Sequence, residues 1–415
     1  MTDTLKPRTA KDVEDAVQSA LSRGAALELV GHGSKRAIGR PAQSDLTLDL
    51  SGLSGVILYE PEELVLSAQA GTPLDEIEAL LAERGQHLAF EPIDYGPLLG
   101  GVPSNGTIGG VLAANLCGPR RITAGAARDH FLGFEAVPGR GESFKAGGRV
   151  VKNVTGYDLC KLMAGSWGTL AALTTVTIKT LPRPQTQATV LVRGLDDATA
   201  IRAMAAAMAT SCDVSGTAHL PAAVAGRIGL GEGRSLTLLR LEGVAPSVAH
   251  RKAALMTAMK SFVKAFGAVE MCDEPVSRKV WRSVRDVAPF AAMPEMATRP
   301  VWRIVTAPSR GAELAGMIVA TTEAEKLETE VLYDWAGGLV WVMLAPSDEA
   351  GAALVRRAVG ACGGQAMLIR APAATRAAVD VFSPQEPGLA SLTRRVKHGF
   401  DPNGVLNPGR MWAGV

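Results

Sequence analysis

Along the first 185 residues, short apolar runs alternate with glycine-rich turns. Runs at residues 26–31, 46–50, 55–59, 64–68 and 173–179 fit strands, being short and bounded by turn-forming residues. Residues 12–24 and 73–85 instead repeat their apolar positions with the period of an amphipathic helix. Thr72 is placed to cap the second helix, with Pro73 in its first turn, and a glycine ends each one. Pro182-Arg183-Pro184 reads as a linker, and the texture changes beyond it. There a strand at 188–192 precedes a helix at 196–209, and 236–242 precedes 246–266. In the same way 301–306 precedes 311–322, and 339–344 precedes 348–362. Such units predict an antiparallel sheet covered by helices on one face, an α+β arrangement. Residues 392–400 form a basic amphipathic helix, and the chain then closes with two rigid turns, Asp401-Pro402-Asn403-Gly404 and Asn407-Pro408-Gly409-Arg410.

At 415 residues the chain exceeds one ordinary core, so more than one domain is expected. A net charge of +2 and 5% aromatic residues give no basis for nucleic-acid binding. Residues 98–119 and 162–178 carry no charge, but Gly100-Gly101-Val102-Pro103-Ser104-Asn105-Gly106 would break a membrane helix. Both stretches read as buried, glycine-rich segments of a ligand site. The first residues lack the apolar core of a secretory signal, so a cytoplasmic protein is expected, with any membrane contact made through a partner. Cys117, Cys160, Cys212, Cys272 and Cys362 are too scattered for an iron–sulfur or zinc site. The histidines, at 32, 87, 130, 219, 250 and 398, show no metal-ligand spacing either, so no metal is expected.

Three segments carry candidate chemistry. Gly31-His32-Gly33-Ser34-Lys35-Arg36 follows a predicted strand; its glycines let backbone N–H groups converge on an anion, and Ser34 and Lys35 add donors. It is neither a Walker loop nor a Rossmann fingerprint. Pro103, Thr107, Ile108, Gly109, Gly110, Ala113 and Asn115 belong to a second segment, where glycine pairs allow close approach of a ligand to backbone. The third runs from Gly147 through Gly156-Tyr157-Asp158-Leu159 to Gly165-Ser166-Trp167-Gly168-Thr169-Leu170.

These segments, in this order, resemble the FAD-binding domain of the vanillyl-alcohol oxidase (PCMH) type flavoproteins. The resemblance covers about residues 10–185 and 385–410. It implies a two-part organisation: an FAD-binding domain at 1–185, an α+β cap at 186–384, and a tail at 385–415 that returns to the first domain. Within the family, Gly118-Pro119-Arg120-Arg121, Val301-Trp302-Arg303 and Asp334-Trp335-Ala336-Gly337-Gly338 are similar to the FAD-binding accessory subunits of bacterial glycolate oxidase. The resemblance implies FAD with its pyrophosphate against residues 31–36, 107–110 and 165–169. Its isoalloxazine would lie near the cap, with Tyr157 and Asn407 as neighbours. It also implies assembly with a homologous catalytic flavosubunit and an iron–sulfur subunit, acting on a small 2-hydroxyacid. Relatives with covalent flavin carry a histidine just after the first glycines; Ser34 stands there, so non-covalent FAD is expected.

One departure bears on activity. Catalytic members of the 2-hydroxyacid group carry histidines in the cap that orient the substrate and accept its proton. No histidine lies between His250 and His398 here. Arg303, Asp334 and Tyr157 are the remaining catalytic candidates, with Tyr333 a further candidate base. The competing expectations are a self-sufficient FAD dehydrogenase and a scaffold subunit whose flavin site no longer fills.

Overall fold

The computed structural model describes residues 3–149, 156–263 and 267–415. The N-terminal half holds two larger sheets and the two-stranded antiparallel pair of Gln86–His87 with Leu181–Pro182. Asp3–Leu5, Leu46–Asp49 and Leu27–Val30 pair in that order as a small parallel sheet. Val56–Glu60, Val65–Gln69, Ala171–Lys179, Phe131–Pro138 and Phe144–Gly147 form an antiparallel five-stranded sheet. The helix Ala10–Arg23 starts two residues earlier than its apolar period suggests, because Thr9 and Asp12 make a reciprocal capping box. It ends at Gly24 in the left-handed conformation. Thr72 is not the cap of Leu74–Glu83. Its hydroxyl donates to the Gln69 carbonyl at 2.6 Å and accepts the Gly55 N–H at 3.0 Å, which leaves Pro73 at the cap position.

The remaining sheet has eight strands, all paired antiparallel. In spatial order they are Ala268–Cys272, Thr186–Arg193, Leu236–Gly243, Val214–Leu220, Thr329–Asp334, Leu339–Leu344, Val301–Val305 and Gln365–Arg370. Helices on a single face would by themselves leave alternate strand positions wet. Instead every residue of Leu339–Leu344 and all but the last of Leu236–Gly243 are buried. The reason is that the second face packs against the N-terminal half, where Arg240 meets Glu91 and the Trp335 indole N–H donates to the Gly118 carbonyl at 3.0 Å. Both faces are therefore covered.

The helix expected at 246–266 is Ala245–Met259; residues 264–266 lie outside the described ones. The helix at 348–362 begins only at Ala352, since Gly351 adopts a left-handed conformation that cannot continue a helix backwards. The last helix, Pro387–Phe400, starts earlier than its amphipathic period suggests, with Pro387 fixing its first turn. The tail then returns to the small parallel sheet: the Leu27 N–H donates to Val405 O at 2.7 Å and the Asn407 N–H to Leu27 O at 2.9 Å. No helix among the described residues is long and apolar enough to cross a membrane.

Candidate functional site

The loop after Leu27–Val30, the short helix Ile108–Ala113 and the turn at 165–169 converge on one cleft of about 710 Å³. Gly31, His32, Gly33, Ser34 and Lys35 line one wall, Thr107, Gly109, Gly110 and Ala113 another, and Gly168 a third. Gly33 has φ +75° and open space where a Cβ would sit, so this turn presents bare backbone to the cleft. Gly109 works differently from its expected role. A Cβ there would lie 2.7 Å from the Ala70 carbonyl oxygen, so its smallness serves the protein's own packing rather than a ligand. At Gly110 the added atom would face Lys35 Nζ at 3.4 Å, on the cleft side.

The electrostatics of the cleft are one-sided. Lys35 donates to Ser34 Oγ at 3.0 Å and has no carboxylate within salt-bridge distance among the described residues. Burial, with the nearby charge of Arg410, pushes its ammonium down to about 8, against a partial pull upward from Asp94. Arg410 comes from the tail. Its Nη2 donates to the Lys35 carbonyl at 3.0 Å, its guanidinium lies 5.6 Å from the Trp167 ring, and its Nε is buried with no partner. Burial lowers Arg410 to about 10. Two desolvated cations with no carboxylate in salt-bridge contact, only the more distant Asp94 and Glu28, stand beside bare backbone and fit a phosphate-bearing dinucleotide.

Beyond Ala114 and Trp167, which line both spaces, a cavity of about 1790 Å³ opens between the N-terminal half and the eight-stranded sheet. Asn115 and Gly165 line this cavity rather than the cleft. So does Arg303, whose guanidinium lies 5.1 Å from the Trp335 ring and has no carboxylate partner among the described residues. Tyr95 and Cys117 are here too; burial pushes the phenol up to about 12 and the thiol upward, so both stay protonated.

Several expected site residues lie elsewhere. Pro103 is exposed and Ile108 is fully buried in the core. Tyr157 is 93% exposed and, like its neighbour Gly156, lines neither space. The adjoining residues 150–155 are outside the described ones. Ser166 and Thr169 are buried supports: the Thr169 hydroxyl donates to Ser166 O at 2.8 Å, and Thr169 O accepts from Lys397 at 2.6 Å. Asn407 is wholly buried; it accepts the Leu29 N–H and donates to Trp167 O, each at 2.8 Å, so it clamps two cleft segments together instead of facing a flavin.

Tyr333 donates to Asp197 and is not free to act as a base in the cavity. Asp334, pushed up to about 7 by burial, accepts the Trp335 N–H at 2.7 Å and does not line the cavity. Sequence reasoning missed Arg410, Trp167, Tyr95 and Cys117. For Arg410 a signal existed, a cation directly after the rigid Asn-Pro-Gly turn; Tyr95 and Cys117 offered none.

Comparison with known proteins gives the class. Residues 4–147 match the family model described as an FAD binding domain. The fold superposes on 4-ethylphenol oxidase from Gulosibacter chungangensis with a TM-score of 0.72, at 14% identity, over 99% of this chain and 89% of that one. It superposes equally on p-cresol methylhydroxylase, with a TM-score of 0.72 over 98% of this chain and 88% of that one. This is an FAD-dependent oxidoreductase fold of the vanillyl-alcohol oxidase type. Within that class the chain belongs to the family of glycolate oxidase subunit GlcE of Escherichia coli, to which it is 32% identical over 400 residues, 96% of each chain. Its likeness to glycolate oxidase subunit GlcD of Bacillus subtilis, 33% over 155 residues, covers only 36% of this chain and 30% of that one.

Proposed function

We propose that the chain is the FAD-binding subunit of a glycolate (2-hydroxyacid) oxidase complex that produces glyoxylate with partner subunits. The observation that carries this reading is the end-to-end likeness to GlcE together with the cation-lined cleft. In this reading residues 1–185 and the tail 385–415 form the cofactor domain and 186–384 the cap. The cleft residues Gly31 to Lys35, Thr107, Gly109, Gly110, Ala113 and Gly168 would hold the dinucleotide, next to the cavity that Trp167 borders. Bound FAD supplies hydride acceptance; the chain's own residues bind, orient and exclude water. Arg303, in the cavity wall without a carboxylate partner among the described residues, is suited to fork onto the carboxylate of a 2-hydroxyacid.

What the cavity lacks is a buried proton acceptor: the one carboxylate among its described lining residues, Glu386, is exposed. No histidine lines it among the described residues, and Tyr95 and Cys117 hold their protons at neutral pH. General-base assistance is worth about a hundred- to ten-thousand-fold in rate. The isolated chain should therefore carry releasable FAD yet reduce dye with glycolate or D-lactate feebly, gaining activity with a homologous flavosubunit and an iron–sulfur subunit. The test is steady-state turnover by the purified flavinated chain with and without those partners. Robust turnover by the chain alone would establish the self-sufficient enzyme instead.

A further inference from the structure

The tail residue Arg410 is buried in an unusual setting. It is 8% exposed, its Nε has no partner, and no carboxylate lies within salt-bridge distance among the described residues. Around the same loop sit two further cations that also have no carboxylate in salt-bridge contact among the described residues. Lys35 lines the cleft beside it. Arg376, from the helix Ala373–Ala378, donates to Gly39 O at 2.7 Å, again without a carboxylate. Unpaired buried charge destabilises a fold unless a ligand completes it.

The tail is also seated on the cofactor loop. The Arg410 carbonyl accepts the Arg40 N–H at 2.9 Å, and its guanidinium reaches the Lys35 carbonyl. The next residues, Met411 and Trp412, line the large cavity, and the Trp412 indole N–H donates to Ser383 O at 3.0 Å. Residues 410–412 thus span the border between cleft and cavity, where Trp167 sits.

We propose that the C-terminal tail is the lid of the dinucleotide site: Arg410, with Lys35, takes the diphosphate, so the cofactor itself locks the tail down. This rests on the FAD reading above. The lid has two consequences. FAD affinity depends on a residue nearly four hundred positions from the cofactor loop. In the apoprotein, desolvation of Lys35 and Arg410 and their repulsion, set against the attraction of Asp94 and Glu28, loosen the tail, and FAD relieves both.

The experiment compares the apoproteins of the wild type, Arg410→Met and Arg410→Lys for uptake of FAD and of riboflavin, which lacks phosphate. Losing a charge-assisted contact should weaken FAD about ten- to a hundredfold in Arg410→Met, with Arg410→Lys between the two. Riboflavin binding should be unchanged. The apo Arg410→Met protein should melt no lower than apo wild type, since an unpaired buried charge is gone, while its FAD-induced gain in Tm shrinks. Carboxypeptidase should trim the wild-type tail faster without FAD than with it. Wild-type FAD affinity in Arg410→Met, or an apo Arg410→Met that melts well below wild type, overturns the lid and leaves a structural arginine. A wild-type apoprotein that takes up no FAD overturns the cofactor reading itself, a distinct result.

Discussion

Replacing Arg240 by methionine should destabilise the protein more than any other single change at the seam between its halves. Arg240 and Glu242 come from a central strand of the large sheet, and Glu91 and Arg120 from the N-terminal half. They form a closed quartet of two acids and two bases. Arg240 donates to both Glu91 oxygens at 2.9 and 2.8 Å and lies 3.3 Å from Glu242. Arg120 grips Glu242 at 2.9 and 2.6 Å and Glu91 at 2.9 Å. The Ser215 hydroxyl adds a bond to Glu242 at 2.6 Å, and the Trp281 ring lies 4.5 Å from the Arg240 guanidinium.

Burial alone would raise both carboxylates, but Arg240 and Arg120 outweigh it and hold them below their usual range. In the Arg240→Met variant, two carboxylates share one guanidinium in a desolvated seam. Breaking a buried pair in this way costs about 3–5 kcal/mol. Adding Glu91→Gln restores neutrality and should recover part of that loss. Because the folded pKa values are depressed, the quartet's stabilisation is present above the ordinary glutamate pKa near 4.5 and is lost as pH falls below it. Urea melts of both variants at pH 7 and pH 4, followed by circular dichroism and flavin fluorescence, give the numbers. An Arg240→Met loss under about 1 kcal/mol, or a double variant worse than the single one, would refute the argument.

Four further outcomes follow from the structure. Lys397→Met removes a buried ammonium that holds Thr169 O, Leu406 O and Asp401; Asp401 keeps the N–H groups of Val405 and Leu406, so the loss should be about 3 kcal/mol, read as a lower urea midpoint and weaker FAD retention. Lys35 sits near 8 when folded against 10.5 for the free group, so apoprotein stability should rise with pH between those values. Over the same window FAD affinity should fall by up to about tenfold per pH unit, because the dinucleotide needs the charged form; a flat fluorescence-titration profile from about pH 7 to 10 would contradict this. Gly109→Val should cost about 1–3 kcal/mol of stability in the flavin-free protein, since the new side chain meets Ala70; normal apo stability with lost FAD would restore the ligand-approach reading.

The sequence by itself determined what local chemistry can determine. Period-2 and period-3.6 patterns located the main strands and helices, and Gly33, with Ser34 and Lys35 after a strand, marked one wall of the cleft. The glycine-dense segment at 31–36 was legible as a place for bare backbone because the positive φ of Gly33 is a property encoded residue by residue. The tertiary structure alone decided which partner each residue meets. Asn407 and Leu29, 378 positions apart in the chain, are joined by a buried hydrogen bond, so a residue expected beside the flavin became a clamp. Gly109 looked like a gap for a ligand until the fold placed Ala70 against it. Arg303, Tyr95 and Cys117 share a cavity only because the eight-stranded sheet closes over the N-terminal half. Arg410 reaches the loop at 31–36 only because the tail returns across the whole chain. Contacts between residues hundreds of positions apart depend on the packing of whole layers, and no local period records them.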